Sequence, residues 1–152
     1  MNKLLALCII AATAASATAA HAESATFTTK QTSSQGVGGA RPDGTTFGGQ
    51  MTTGTSETVS DDGKKWSGTH KCVGVTMPPN DTTYNARIIC DNNDPSGTSS
   101  TIWGCTMPAK ETNTVFCTGW AFGKTGAYAG RRGTMTFVGV DGTGSGTSQW
   151  GK

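Results

Sequence analysis

Residues 123–140 read GKTGAYAGRRGTMTFVGV, and two readings compete for them. Gly-Lys-Thr is how a phosphate-binding loop ends, and Arg131-Arg132 is chemistry that a phosphate accepts. A Walker loop, however, needs its first glycine at position 118, so that the intervening backbone N–H groups wrap the phosphates before a helix begins. Thr118 stands there, and Gly119 is one residue too close. Beyond Gly133 the pattern has period two, with Met135, Phe137 and Gly139 alternating with Thr134, Thr136 and Val138, which is a strand and not a helix. The stretch is therefore a turn that runs into a strand, and the nucleotide reading is set aside.

The same alternation and punctuation extend through the chain. Strands are predicted near Thr26 and over Thr46–Ser60, Lys64–Thr76, Tyr84–Asp91, Ser99–Met107, Asn113–Phe122, Arg131–Val140 and Ser145–Trp150, about eight in all. Asp61-Asp62-Gly63 is a strong hairpin signal. No window carries the i, i+3, i+4, i+7 apolar pattern of an amphipathic helix, and the gaps are too short for crossover helices, so the sheet is expected to be antiparallel. Gly, Thr and Ser dominate while Leu and charge are scarce, which disfavours helices and suits short strands with tight turns.

The ends speak to compartment. Met1-Asn2-Lys3 is a short basic region, an apolar run follows from Leu4 to Ala15, and Ala20-His21-Ala22 is an A-x-A pattern, so residues 1–22 read as a secretory signal cut between Ala22 and Glu23. A bacterial export route, to the periplasm or the medium, is expected. No other apolar run is long enough to span a membrane as a helix. Loss of Lys3 takes the formal charge from +2 to about +1, without a basic stripe, so nucleic acid is not an expected partner. Residues 23–45 read as a flexible segment or a first strand, and residues 46–152 as one domain.

With Cys8 inside the leader, Cys72, Cys90, Cys105 and Cys117 remain, an even number in an exported chain, which argues for two disulfides rather than metal or catalysis. An internal repeat suggests their pairing. Gly74-Val75-Thr76-Met77-Pro78 is answered by Gly104-Cys105-Thr106-Met107-Pro108, and a Thr follows each at matching distance, Thr82 and Thr112. Cys72 and Cys90 flank the first hairpin and Cys105 and Cys117 the second. Three connectivities are open and spacing alone does not choose among them.

Tests for chemistry return little. The G-x-S-x-G elbow is absent. His70 is one histidine in a strand with no nucleophile beside it, so no catalytic residue is named. Asp91-Asn92-Asn93-Asp94-Pro95-Ser96-Gly97 offers oxygen ligands, yet it lacks the glycine and distal glutamate of a calcium loop and reads as a turn. Asn80-Asp81-Thr82 is an N-glycosylation sequon, coincidental in a bacterial chain. Neither a metal nor a cofactor is expected. The aromatics, Trp66, Trp103, Trp120, Trp150, Tyr84, Tyr128, Phe116, Phe122 and Phe137, must fill much of the core.

Thr125-Gly126-Ala127-Tyr128-Ala129-Gly130-Arg131-Arg132-Gly133, with the alternating Thr134-Met135-Thr136-Phe137 after it, resembles the T-G-x-[FY]-x-x-x-R-G segment of dirigent proteins and allene oxide cyclases. The resemblance covers some thirty C-terminal residues. It implies a calycin-like antiparallel β-barrel of eight strands. It carries no activity here, because the acidic and polar pocket residues of those families have no matched positions in the N-terminal half, and the four cysteines and the Thr-Met-Pro repeat are departures. The expectation is an exported all-β barrel that binds a small apolar or aromatic ligand, or an envelope protein partner, without catalysis. Trp103, Trp120, Tyr128, Arg131 and Arg132 are the candidate ligand contacts. Two alternatives stand beside it: an isomerase or cyclase with Arg87, Arg131 or Arg132 in a cavity beside a buried acid, and an envelope inhibitor or structural protein acting through loops that expose Met77 and Met107.

Overall fold

The computed structural model describes residues 22–40, 42, 46–77, 83–107 and 114–151. The leader up to His21, Pro78 and Pro108 with Thr82 and Thr112, and the rest of the sequon, Asn80-Asp81, lie outside the described residues. Eight strands follow in order: β1 (Glu23–Ala40), β2 (Thr46–Ser60), β3 (Lys65–Thr76), β4 (Ala86–Asp94), β5 (Gly97–Thr106), β6 (Thr114–Gly123), β7 (Arg132–Val140) and β8 (Thr143–Trp150). A 3₁₀ turn, Gly126–Tyr128, lies between β6 and β7. Each strand pairs antiparallel with the next and β8 returns to β1, which closes the sheet into a barrel. A row of cross-strand partners that starts at Ser34 runs through Thr52, Cys72, Cys90, Thr101, Ala121, Gly133 and Trp150 and meets β1 again at Glu23. That displacement along β1 is the stagger that tilts the strands and lets the barrel close.

The barrel begins at Glu23. Ala25 and Phe27 are buried because β1 is inserted between β2 and β8, so within the segment 23–45 residues Glu23–Ala40 are a strand. Beyond Lys30, which faces Thr143, β1 has β2 as its one strand partner among the described residues while β2 stays paired with β3 as far as Gly49, so this end of β1 is an arm with one free edge. The turns follow the local chemistry. Asp141 (φ 48°) and Gly142 (φ 79°) form a two-residue hairpin between β7 and β8 with both residues left-handed.

Cys72 faces Cys90 and Cys105 faces Cys117 as direct cross-strand partners, Cα atoms 4.0 and 4.1 Å apart, and both pairs are disulfides on the inner wall. Each staples one arm of the repeated hairpin, β3 to β4 and β5 to β6. They share one cluster with Phe27 and Trp103, against which Ile88, Val115, Met135 and Phe137 pack.

Many glycines are inner-wall positions on which rings sit. Gly146 is the partner of Phe27 on one side and Phe137 on the other, and a Cβ there would lie 2.5 Å from Phe27 Cζ. Trp103 lies over its partner Gly119 in the same way, with 2.7 Å from an added Cβ to Trp103 Cε3. A bare backbone opposite each ring is what lets large side chains fit inside eight strands.

Candidate functional site

A cavity of about 310 Å³ runs along the barrel axis. One part of its wall is apolar, built from Phe27, Ile88, Trp103, Val115, Met135 and Phe137. Phe27 and Phe137 lie parallel with centroids 6.3 Å apart, and Trp103 meets Phe137 at 6.2 Å and 59°. The buried Trp103 Nε1 donates to Thr101 Oγ1 at 2.8 Å, so the indole keeps its hydrogen bond inside the barrel. A polar row crosses the same wall, because His70, Asn92 and Ser99 are successive partners on β3, β4 and β5. Asn92 Nδ2 donates to Ser99 Oγ at 3.4 Å. The His70 ring rests on Gly54, and burial lowers its pKa below the ordinary histidine value, which keeps the imidazole neutral at neutral pH.

One end of the cavity is organised by Asp94, the last residue of β4. Its Oδ1 accepts the Ser96 backbone N–H at 2.7 Å, and its Oδ2 accepts Trp66 Nε1 at 3.2 Å and the Tyr128 hydroxyl at 2.9 Å. The glycine-rich stretch between β6 and β7 delivers the tyrosine. Gly126 (φ 63°) lets the 3₁₀ turn pass against the Ser96-Gly97 backbone, and Ala127 N–H donates to the Ser96 carbonyl at 2.7 Å. Tyr128 then stacks on Trp150 at 4.8 Å. Burial first, and the Asp94 carboxylate second, push the phenol pKa well above its usual value, so Tyr128 remains a donor.

The candidate contacts divide. Trp103 and Tyr128 line the cavity. Trp120 does not line the cavity: it stands on the outer wall, 61% exposed, because its β6 neighbours Gly119 and Ala121 take the inward positions of the two-residue alternation. Arg131 lies at the rim outside the cavity, with Nη1 2.9 Å from Glu23 Oε2, Nε donating to the Gly151 carbonyl at 2.9 Å, and the guanidinium 5.9 Å from the Trp150 ring centroid. Arg132 is exposed on the outer wall as the partner of Phe122. Arg87 also lies outside, 4.7 Å over the Tyr84 ring. Lys124 of the Gly-Lys-Thr stretch pairs with Asp91 at 2.8 Å on the outside of the barrel. Met77 is half-buried and Met107 exposed, and Asn85 ties them together, its carbonyl accepting the Met77 N–H at 2.8 Å and its side chain the Met107 N–H at 2.6 Å.

Sequence reasoning did not single out Phe27 or Asp94 as wall residues, and it placed Trp66 and Trp150 in the core without a role. Their alternation with exposed neighbours was the available signal for the inward side. Among the described residues no group of three metal-ligating side chains occurs, and no helix is long and apolar enough to cross a membrane. No protein-family model, no curated protein and no solved structure matches the chain.

Proposed function

We propose that this chain is an exported binding protein whose barrel holds one small apolar or aromatic molecule in its interior, without catalysing a reaction. The observation that carries the reading is the 310 Å³ cavity with aromatic walls and a few convergent polar groups. That volume is at the lower end of the roughly 300–1,000 Å³ of small-molecule sites. Export rests on the leader pattern of residues 1–22 and on two disulfides, which persist in oxidising compartments. Kinship with the dirigent and cyclase barrels is part of the same proposal, supported by the Thr125–Gly133 segment and the strand count. The cyclase alternative asks for an arginine in the cavity beside an acid, and none of Arg87, Arg131 and Arg132 is a wall residue.

The test uses the indoles that line the cavity. A panel of small aromatic compounds is titrated into a Trp120→Phe background, and saturable quenching of the remaining tryptophans is expected. Thr101→Phe, which places a ring beside Trp103, removes the saturable response. Absence of saturation across the panel, or a T101F response equal to the parent's, refutes the binding reading.

A second reading, contact with a partner protein, is favoured by the outer wall. Met51, Val73, Ile89, Ile102 and Trp120 are successive cross-strand partners over β2 to β6, and all are exposed. At ~4.8 Å per strand the row is about 19 Å long. It adjoins the arm of β1, whose outer edge from Thr32 to Ala40 carries no charge and pairs with nothing beyond β2 among the described residues. A neutral edge of this kind pairs antiparallel with the same edge of a second copy. Sedimentation is expected to show a dimer that Val37→Lys dissociates; a parent chain that sediments as a monomer at high concentration sinks this reading.

A further inference from the structure

The cavity wall has one sign of charge. Glu23, Asp94 and Asp141 line it, and among the described residues neither Lys nor Arg does, in a chain whose formal charge is +2. Composition therefore does not account for the bias. Glu23 is balanced by Arg131 at the rim. Asp94 is different: its oxygens are met by three neutral donors, Trp66 Nε1, Tyr128 O–H and the Ser96 N–H, and it joins no ion pair among the described residues.

The groups around that carboxylate are aromatic. Trp66 and Tyr128 both reach the same oxygen, Oδ2, and Trp150 is stacked on Tyr128 at 4.8 Å. Trp66 and Tyr128 meet this carboxylate with the in-plane N–H and O–H at their ring edges, so it is the charge of Asp94, in a cavity that no Lys or Arg lines among the described residues, that attracts an ammonium group. The same surroundings repel a carboxylate ligand and offer a neutral hydroxyl a hydrogen bond but no ion pair. The raised pKa of Tyr128, to which Asp94 contributes, agrees with a negative field at this end. Further along the axis the walls are Phe27, Trp103 and Phe137, which suit an apolar body.

We propose that the ligand is a small organic cation, an amine with an aromatic or apolar body, whose charged end lies at Asp94 between Trp66, Tyr128 and Trp150 and whose body extends toward Phe27 and Trp103. The inference rests on the cavity-binding reading above and narrows it to one ligand class.

Three compounds of matched body and different charge test it: phenylethylamine, phenylethanol and phenylacetate, titrated calorimetrically into the full exported chain. The amine is expected to bind at least tenfold more tightly than the alcohol, and the carboxylate most weakly. Asp94→Asn removes the charge and keeps one acceptor oxygen for Trp66 and Tyr128, with its amide nitrogen then facing the Ser96 N–H, and it is expected to reduce amine affinity to no more than that of the alcohol. On the parent chain, raising the salt concentration weakens the amine alone, which provides a readout if the variant does not fold. An alcohol or carboxylate that binds as well as the amine, or amine binding indifferent to both salt and Asp94→Asn, overturns the cation inference and leaves the apolar-binding reading standing. Binding of none of the three overturns both.

Discussion

Replacing Cys105 and Cys117 together by alanine tests how the barrel is held. The bridge closes a loop of sequence separation 12, and Cys72–Cys90 one of 18. On the chain-entropy relation these loops correspond to about 2.8 and 3.2 kcal/mol of stability at 25 °C, because the cross-link restricts the unfolded chain more than the folded one. With an unfolding entropy of roughly 2 cal/mol/K per residue over some 130 residues, loss of the first bridge lowers Tm by about 10 °C. The assay is urea unfolding followed by circular dichroism, beside a thermal scan. The m-value separates two causes of a loss. If the bridge acts on the unfolded state, its removal lets the denatured chain expand and m rises. If m is unchanged while stability falls, the loss comes from packing in the Phe27–Trp103 cluster that holds all four cysteines. A stability change under about 1 kcal/mol with an unchanged m refutes the entropic account altogether. Removing both bridges deletes about 6 kcal/mol by this reckoning, as much as many domains possess, so the quadruple variant is expected to be largely unfolded.

Three further outcomes are expected. Gly146→Ala places a methyl group against Phe27 and the Thr136 carbonyl, and is expected to destabilise by about 1–3 kcal/mol in urea unfolding, as overpacking does, whereas Gly63→Ala, with open space around it, suffers only its left-handed backbone (φ 82°). His70 has a folded-state pKa below its unfolded value of about 6.5, so its contribution is complete above that pH and declines as pH falls toward the native pKa; His70→Gln should flatten this slope in stability measured from pH 7 to 5. The exposed Asp62, held at about 2 chiefly by its hydrogen bond with Lys64, acts only in the acid range between its ordinary 3.8 and 2, so Asp62→Asn should leave the pH 5–7 slope untouched. Trp120→Thr, on the outer wall, should change stability by less than about 0.5 kcal/mol, while Trp103→Phe should lower Tm measurably, because it leaves the buried Thr101 hydroxyl without its indole donor.

Strand positions were readable because alternation and turn chemistry are local. β2 spans Thr46–Ser60 as predicted, and β3 and β7 differ from prediction by one residue at their starts. The antiparallel sheet was legible from the short gaps between strands, the barrel was implied by the Thr125–Gly133 resemblance with which the strand count agreed, and the repeat suggested the disulfide pairing that spacing alone left open among three. What was not readable was the side of the wall each aromatic would face once all eight registers were set. Trp103 and Trp120 are both strand tryptophans beside a glycine, yet one is buried and the other exposed, since inward and outward assignment depends on the pairing of β5 with β6 and a shift of one residue exchanges the faces. Asp94 was read as turn chemistry, and it is, through its bond to the Ser96 N–H. Its second oxygen takes part in the cavity because Trp66 and Tyr128, each more than twenty residues away in the chain, are brought to it by β3 and by the 3₁₀ turn, an association that no local pattern carries.

The abundance of glycine then bears on the cavity itself. A small barrel ordinarily fills its interior with side chains from every strand. Here β7 and β8 supply Gly133, Gly139, Gly144 and Gly146, and the rings of Phe137, Phe27 and Trp150 lie over them or beside them instead of meeting opposing side chains at the axis. Rings laid along the wall leave the axis open. The same glycines weaken their strands, since a glycine loses more conformational freedom on folding and brings no side chain to bury. The opposing strands β3 to β6 carry both disulfides. One side of the barrel is thus secured by covalent staples and the other by aromatic rings on bare backbone, and the space between them is the cavity. On this account cavity volume and disulfide dependence are linked: a substitution that adds apolar volume at the half-buried wall without removing a hydrogen bond, such as Val115→Phe, should raise the stability of the reduced protein while it abolishes binding, and a variant that loses binding without any gain in the reduced state would separate the two.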